Sequence, residues 1–592
     1  MPEDGRGAWA PAGKTRANDL LKAEGEPRLL LESAALGVVG ALAARAFVWM
    51  LRVCSHLLLG DIAGYWAPGS EQGQRHAQVI GPHGLWLVPL VTTLGGLLSG
   101  LIVYSFAPEA EGHGTDTAVN AFHREEGVIR PRVAPLKMVA SAITIGSGGS
   151  AGREGPIALI TATLGSYYAR IAKRSEAQRR LLLLAGMAAG LSAIFRSPMG
   201  TGVFAIEVLY GTMEFEVGAL LYTMCSSAVA YAVNGVFVGY RPLFQIPTTP
   251  MPTLKNYGAY VPLGLAAAVL GTLLPMVFYR VRDGFRALKM PLWMKPALGG
   301  LGVGVIALWL PQVLQGGYGW IQAAIDGRMA LELMLLLVGA KMVALALTVS
   351  SGGSGGVFAP SLYVGAMLGG SFAILLHQPS AVFVVVGMAA VFGAAARVPI
   401  ATMLMVTEMA GGFQLLVPAG IAVMIAYLLQ GRMAAHLRYK SLYEAQVDTR
   451  QDSPAHYMEH IQIALGLLGK RKIQVTEDVG HVDLLRLLRS RIHFDLPGHR
   501  ELAEATVKPG SELAGKPLSL LYEKMGELPF EVVAITRHEH VLLPHPDTVM
   551  EADDRVVLIT SPEAREPLKQ YLTPVPQRVE GSAQTQESKA AV

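Results

Sequence analysis

One pattern occurs twice in the chain, and that repetition excludes most folds. From Ser147 the sequence reads SGGSAGREGPIALITATLG and from Ser351 it reads SGGSGGVFAPSLYVGAMLG, so Ser-Gly-Gly-Ser, the turn glycine, the proline and a later Leu-Gly coincide at an offset of 204 residues. A second pair follows. GMAAGLSAIFRSPMGTGVFAIE from Gly186 and GMAAVFGAAARVPIATMLMVTE from Gly387 share Gly-Met-Ala-Ala, Arg, Pro and Glu at an offset of 201. Two blocks repeated in the same order make this region two related halves. In each half a Gly-rich turn runs into an apolar stretch, and such paired, Gly-interrupted segments point to a site near the midplane of a transporter-like membrane fold.

The apolar runs agree with membrane residence. Of the 592 residues 52% are hydrophobic and only 16% charged, with a mean hydropathy of +0.39; a soluble chain so poor in charge could not cover its own surface. Runs that span ~30 Å of hydrocarbon, roughly 20 residues as helix, fall near 33–59, 85–106, 217–237, 259–281 and 330–349. Others are broken by Gly and Pro into pieces of about half that length: 134–145, 156–172, 180–195, 198–212, 357–375, 381–396, 399–410 and 413–430. Interrupted helices survive in a bilayer only where protein or a water-filled path satisfies the freed backbone.

Charge and cysteine usage narrow the class further. A net charge of +4 is too small to argue for nucleic acid, and Arg170, Lys173, Arg174, Arg179 and Arg180 read as membrane-flanking groups. Cys54 and Cys225 both lie in apolar stretches, so neither a disulfide framework nor a metal cluster is expected. The N-terminus is polar through Glu26 and has no short apolar core with a cleavage site, so no removable signal peptide is expected.

The repeated turns carry a chemistry. Gly152-Arg153-Glu154-Gly155-Pro156 and Gly356-Val357-Phe358-Ala359-Pro360 each place proline near a helix start, where its missing amide costs nothing. The remaining amides there are free and, with the helix dipole, give a partial positive charge of roughly half an elementary unit. That is an anion site. Two such tips meeting from opposite halves replace an anion's hydration without a full cation that would hold it too tightly to conduct.

GREGP and GVFAP resemble the signature motifs of the CLC chloride channel and transporter family, and their order, separation and flanking helices match it over about residues 30–445. The resemblance implies a mostly helical, polytopic membrane protein of two inverted halves with broken helices, working as a homodimer with a pore in each subunit. It implies that Glu154 is the gate: a carboxylate at a helix tip occupies the anion site, and protonation releases it. It implies that Gly152, Arg153, Gly155, Val357 and Phe358 surround the anion. Lys440-Ser441-Leu442-Tyr443 resembles the family segment whose tyrosine hydroxyl meets the central anion, which makes Tyr443 the candidate. Without that match Tyr443 reads as an interfacial anchor.

Two departures from the family pattern bear on function. Gly112-His113-Gly114-Thr115-Asp116 stands where the family has Gly-Ser-Gly-Ile-Pro, so His113 replaces a serine that meets the anion. Its imidazole either offers an N–H or a titratable charge to the anion, or turns away to cap the helix. Alignment on Pro198 places Val208 at the inward proton-accepting glutamate of exchangers, next to Glu207. Valine does not titrate, so passive, Glu154-gated anion conduction is favoured, with chloride/proton antiport as the alternative and protons as possible co-substrates. Lys137 and Arg153 are basic groups near the path that either raise local anion concentration or pair with carboxylates and helix ends.

Beyond about 445 the character becomes soluble. The expected organisation is a polar segment 1–30, a transmembrane domain 31–445 with halves 31–237 and 255–445, a helical linker 446–503 with patterns near 455–467 and 480–491, an α+β domain 504–573 and a disordered tail 574–592. Residues 504–572 read as strand, helix and three short strands, EVVAIT and RVVLIT being the clearest. TVKPGSELAGKPLSLL and the following PHPDT resemble the RCK or TrkA C-terminal lobe, which implies a dimerisation module, either without a ligand, the favoured reading, or with a small anionic regulator served by Arg537 and His538. No G-x-G-x-x-G turn precedes it, so no nicotinamide cofactor, and indeed no cofactor at all, is expected. The lobe alone would suggest a potassium-system subunit, but the sequence holds no Thr-Val-Gly-Tyr-Gly filter. No metal-spaced His/Glu pair or Walker loop argues for an enzyme. The expected location is integral and multi-pass, in a bacterial inner membrane, with the lobe cytoplasmic.

Overall fold

Glycine and proline, more than hydropathy, decide where the membrane helices start and stop. The computed structural model describes residues 27–69, 78–246, 254–456, 501–526, 528, 530–537, 540–542 and 546–574. The polar N-terminus, the helical patterns expected between 457 and 500, His538 and the tail from 575 lie outside the described residues. The chain divides into two compact units, one ending at His456 and one beginning at Tyr457.

In the first half of the first unit the helices are α1 (Pro27–Ser55), α2 (Val88–Phe106), α3 (Thr115–Arg124), α4 (Val133–Gly146), α5 (Glu154–Ile171), α6 (Glu176–Phe195), α7 (Pro198–Glu207) and α8 (Val217–Val238). A small hairpin of β1 (Tyr65–Trp66) and β2 (Val79–Ile80) lies between α1 and α2. The second half repeats the series from a long first helix: α9 (Tyr260–Ala287), α10 (Lys295–Ala307), α11 (Tyr318–Ile325), α12 (Leu331–Ser350), α13 (Phe358–Leu375), α14 (Ser380–Ala396), α15 (Pro399–Ala410) and α16 (Leu416–Ala434). Prolines 198 and 399 open α7 and α15. The preceding helices, α6 and α14, both end on an arginine in the left-handed region, Arg196 at φ 56° and Arg397 at φ 58°. Left-handed backbone is uncommon outside glycine, and its recurrence at matched positions marks the two halves as one structure used twice.

Among the described residues, seven helical segments are long and apolar enough to cross a membrane. Five correspond to the runs expected to span. The other two, Phe358–Leu375 and Phe413–Ala434, were expected as half-length pieces, and that expectation is corrected. The Gly-Pro signal read as a break in the first of them falls at the helix N-terminus, leaving the helix itself whole. Length does not make this helix lipid-facing, however: 83% of its apolar window is buried within the unit.

Each half caps the other. Glu207, at the end of α7, accepts from the amides of Ile400 (3.1 Å) and Ala401 (2.6 Å) at the start of α15. Glu408, near the end of α15, accepts from Met199 (3.2 Å) and Gly200 (2.9 Å) at the start of α7. A carboxylate at a helix N-terminus satisfies orphan amides and complements the dipole. The pairing is antiparallel, which is what inversion of one half against the other requires.

Residues 446–456 belong to this unit, so the expected linker begins later than 446. Val447 bridges to Tyr210, Gly211 donates to the Val447 carbonyl (2.7 Å), and Gln446 donates to the carbonyls of Val208 (3.0 Å) and Ala396 (3.1 Å). Further along, Ser453 meets the His123 ring at 2.7 Å, and His456 meets Glu216 at 2.9 Å.

Among its described residues, the second unit holds a five-stranded antiparallel sheet with two short helices. Along the chain come β3 (Glu501–Val507), α17 (Ser519–Met525), β4 (Phe530–Arg537), β5 (His540–Leu542), β6 (Arg555–Thr560), α18 (Pro562–Leu568) and β7 (Leu572–Pro574), in the spatial order β5-β4-β6-β3-β7. Helix α18 and strand β7 extend the pattern expected from sequence. Val507, Leu521, Ile535, Met550, Val556 and Leu572 form its core.

Candidate anion site

The two repeated turns meet. Gly152 donates to the Gly356 carbonyl and Gly356 donates back to the Gly152 carbonyl, both at 2.7 Å, as an isolated antiparallel bridge. The approach is close enough that only glycine fits: a Cβ at Gly155 would lie 1.9 Å from the His113 carbonyl oxygen and 3.0 Å from the Gly356 Cα. Helices α5 and α13 therefore start back to back, with their amide ends converging on one volume inside the protein.

Glu154 is the first residue of α5 and is buried, 1% exposed. Its carboxylate crosses to the other half, where it accepts from the amide of Ala359 at 3.4 Å. A Cβ at Gly152 would lie 1.9 Å from the same carboxylate oxygen. The other carboxylate oxygen accepts from the Tyr318 hydroxyl. Nearby, among the described residues, the amides of Gly155, Val357 and Phe358 donate to no group of the protein. The negative group thus sits at the N-terminus of the opposite half's helix, where an anion is stabilised.

Three further candidates border this volume. Phe358 is 3% exposed and held among Phe195 (4.4 Å between ring centroids), Phe392 (4.2 Å) and Phe204 (6.2 Å). Val357 is likewise buried. Tyr443, 3% exposed, lies edge-on to the His113 ring at 5.5 Å. The His113 imidazole also faces Phe278 at 6.3 Å, and its Nδ1 receives the Asp116 amide at a long 3.5 Å. His113 therefore borders Tyr443 while also helping to close the start of α3. The Arg153 guanidinium lies over the Tyr318 ring, 4.9 Å from the centroid.

Val208 is fully buried at the end of α7, and its neighbour Glu207 is the cap of α15 described above. In the second unit Arg537 donates to both oxygens of buried Asp554 (2.9 and 2.8 Å), to Glu551 (2.6 Å) and to the Val549 carbonyl (2.6 Å). Hydrogen bonding to Asp554 raises the Arg537 guanidinium further above its ordinary value, so it is a permanent cation with its donors turned into its own lobe.

Two lysines support the turns; sequence reading had named Lys137 as a basic group near the path, and had not named Lys341. Lys137 on α4 donates to the carbonyls of Ala110 (2.9 Å) and Gly112 (2.7 Å), just before α3. Lys341 on α12 donates to those of Val313 (2.8 Å) and Gln315 (2.6 Å), just before α11. Both ammonium groups are completely buried. The signal was present: the two lysines stand 204 residues apart, the offset of the first repeated block. Tyr318 was missed because its counterpart after the matching turn is Thr115, a residue of different chemistry.

Comparison with known proteins shows the family and the fold. Residues 95–431 match the model of the voltage gated chloride channel family, and residues 502–573 match the TrkA-C domain. A putative chloride channel protein, ClcB-like, of Ralstonia nicotianae is 30% identical over 433 residues, covering 71% of this chain and 98% of that protein. An H(+)/Cl(-) exchange transporter ClcA of Citrobacter koseri is 29% identical, covering 72% of this chain and 90% of that protein. Among solved structures, a slow cyanobacterial Cl-/H+ antiporter aligns with a TM-score of 0.61 at 21% identity, covering 71% of this chain and 96% of its own. A CLC-type fluoride/proton antiporter aligns at 0.60 and 23% identity, covering 71% and 98%.

Proposed function

The chain belongs to the voltage-gated chloride channel family, with a TrkA-C domain at its C-terminus, and as an integral, multi-pass membrane protein it transports anions; from that premise we propose that it conducts chloride passively through a path gated by Glu154. The observation that carries the reading is the seat of the Glu154 carboxylate at the start of α13, against the amide of Ala359 and beside the Gly152–Gly356 bridge. A carboxylate there excludes chloride by charge and by volume. Protonation removes the charge that the helix tip stabilises, the side chain leaves, and an anion takes over the amides of Gly155, Val357 and Phe358, with Tyr443 and His113 on its inward side. Flux therefore rises as pH falls.

Passive conduction is preferred over proton exchange because of the inward side. Val208 carries no proton, and Glu207 beside it has both oxygens occupied by the amides of Ile400 and Ala401. Exchange is the second reading, favoured by the named activity of the Citrobacter koseri relative. The homodimeric state and a small anionic regulator at the lobe are part of the proposal on family resemblance alone; Arg537 would have to leave Asp554 to serve such a ligand.

Liposomes containing the purified protein test both readings. Chloride efflux from the wild type is expected to increase as pH falls, and Glu154→Gln to hold flux at its acid level across the whole range. A pH profile unchanged by Glu154→Gln would remove the gate. A chloride gradient that drives protons uphill would replace passive conduction by exchange.

A further inference from the structure

The gate carboxylate is held from outside its own half by a phenol. Tyr318 opens α11, and its hydroxyl donates to Glu154 while the Arg153 guanidinium lies over its ring. We propose that Tyr318 is a latch that keeps Glu154 charged and seated, and so sets the pH at which the path opens. The inference deepens the reading of Glu154 as gate and rests on it.

The protein fixes Tyr318 in this position from several sides. Gly317, in left-handed backbone at φ 77°, turns the chain into α11, and a Cβ there would lie 2.5 Å from the Tyr363 ring. The buried Lys341 ammonium ties down the carbonyls of Val313 and Gln315 in the same turn. The Gln315 amide reaches Ser55 (2.9 Å) and the Ile145 carbonyl (3.2 Å), and the Phe244 ring lies 6.1 Å from that of Tyr318. The matching turn of the first half is built alike, with Gly114 at φ 84° and Lys137 on two carbonyls, but delivers Thr115. A shared scaffold thus presents a long aromatic hydroxyl at the gate and a short aliphatic one at the other end.

The chemistry follows from the donor. A neutral phenol hydroxyl donates more strongly to a carboxylate than to a carboxylic acid, because hydrogen bonds to ionised acceptors are the stronger class. It therefore favours the seated, charged form over the released, protonated one. The charged or titratable groups near Glu154 are Arg153 beside it in sequence, Tyr318 from α11, His113 from the turn before α3, and Tyr443 from the segment after α16. Of these, Tyr318 donates a hydrogen bond to the carboxylate.

The test uses full-length protein in liposomes and the single-atom change Tyr318→Phe. Half-maximal chloride efflux is expected to move to higher pH by about one unit, a tenfold change in proton concentration, with flux at neutral pH raised accordingly. In the Glu154→Gln background the same change is expected to have no effect. A carboxyl infrared band assigned by its loss in Glu154→Gln is expected to titrate about one unit higher in Tyr318→Phe, a readout independent of flux. An unchanged half-maximal pH and band in Tyr318→Phe overturns the latch while leaving the gate intact. An equal effect of Tyr318→Phe with and without Glu154 overturns it too, making the phenol a lining group. If Glu154→Gln itself leaves the pH profile unchanged, gate and latch fall together.

Discussion

Glycine at position 155 is a sharper determinant of the site than any charged residue around it. Its missing side chain lets the first turn of α5 lie against the His113 carbonyl, so Gly155→Ala drives a methyl group into that carbonyl oxygen. Overpacking of this kind costs typically about 1–3 kcal/mol, and the variant is expected to unfold at lower temperature in detergent; an unchanged midpoint would mean that the turn yields freely. At this scale the sequence was most legible where a motif occurs twice. Glu154, Val357 and Phe358 were named as candidates through the resemblance of GREGP and GVFAP to the family motifs, and the repeat phased both turns at helix starts. Tyr318 was not named, since its contact with Glu154 joins residues 164 apart and its repeat partner is a threonine. Nor could sequence say which way His113 turns; the imidazole borders Tyr443 and receives the Asp116 amide together.

Reciprocal capping governs the next scale. Helices α7 and α15 are too short to be secured by their own ends, and each depends on a carboxylate from the other. Glu207→Ala leaves two buried amides without an acceptor. An unsatisfied buried polar group costs roughly 1–3 kcal/mol, so a clear drop in thermal midpoint is expected, with Glu207→Gln losing less because one oxygen remains. Equal stability of Glu207→Ala and wild type would show that the caps are dispensable. The glutamates were visible in the sequence as the last matched residue of the second block. What they bond was not, because periodicity reports the face of one helix and says nothing of which helix end lies opposite. For the same reason α13 was read as a fragment: a Gly-Pro signal marks a boundary without saying on which side the helix lies.

At the scale of the molecule, the division after His456 separates transport from whatever the C-terminal lobe contributes. All the groups assigned to the gate lie in the first unit, as do residues 446–456, which are bound to α7 and the turn after it. A chain truncated after His456 is therefore expected to retain chloride efflux and its Glu154-dependent rise with acid, measured in the same liposomes. Loss of efflux from a truncated protein that still elutes as a single species would make the lobe part of the conducting machinery. The domain-level pattern was legible because composition changes abruptly; the last residues before the boundary were not, since polar side chains such as Gln446, Ser453 and His456 read as solvated when they are in fact bonded.

The paired hydrogen bonds between Gly152 and Gly356 also bear on how the protein is made. Until the ribosome has delivered Gly356, the Gly152 amide lacks its acceptor and Glu154 lacks the helix tip on which it rests. A nascent chain holding only the first half can insert its helices, yet it has no place for a halide. The anion seat is completed late in synthesis, when the second half's turn arrives beneath a carboxylate that the chain already carries.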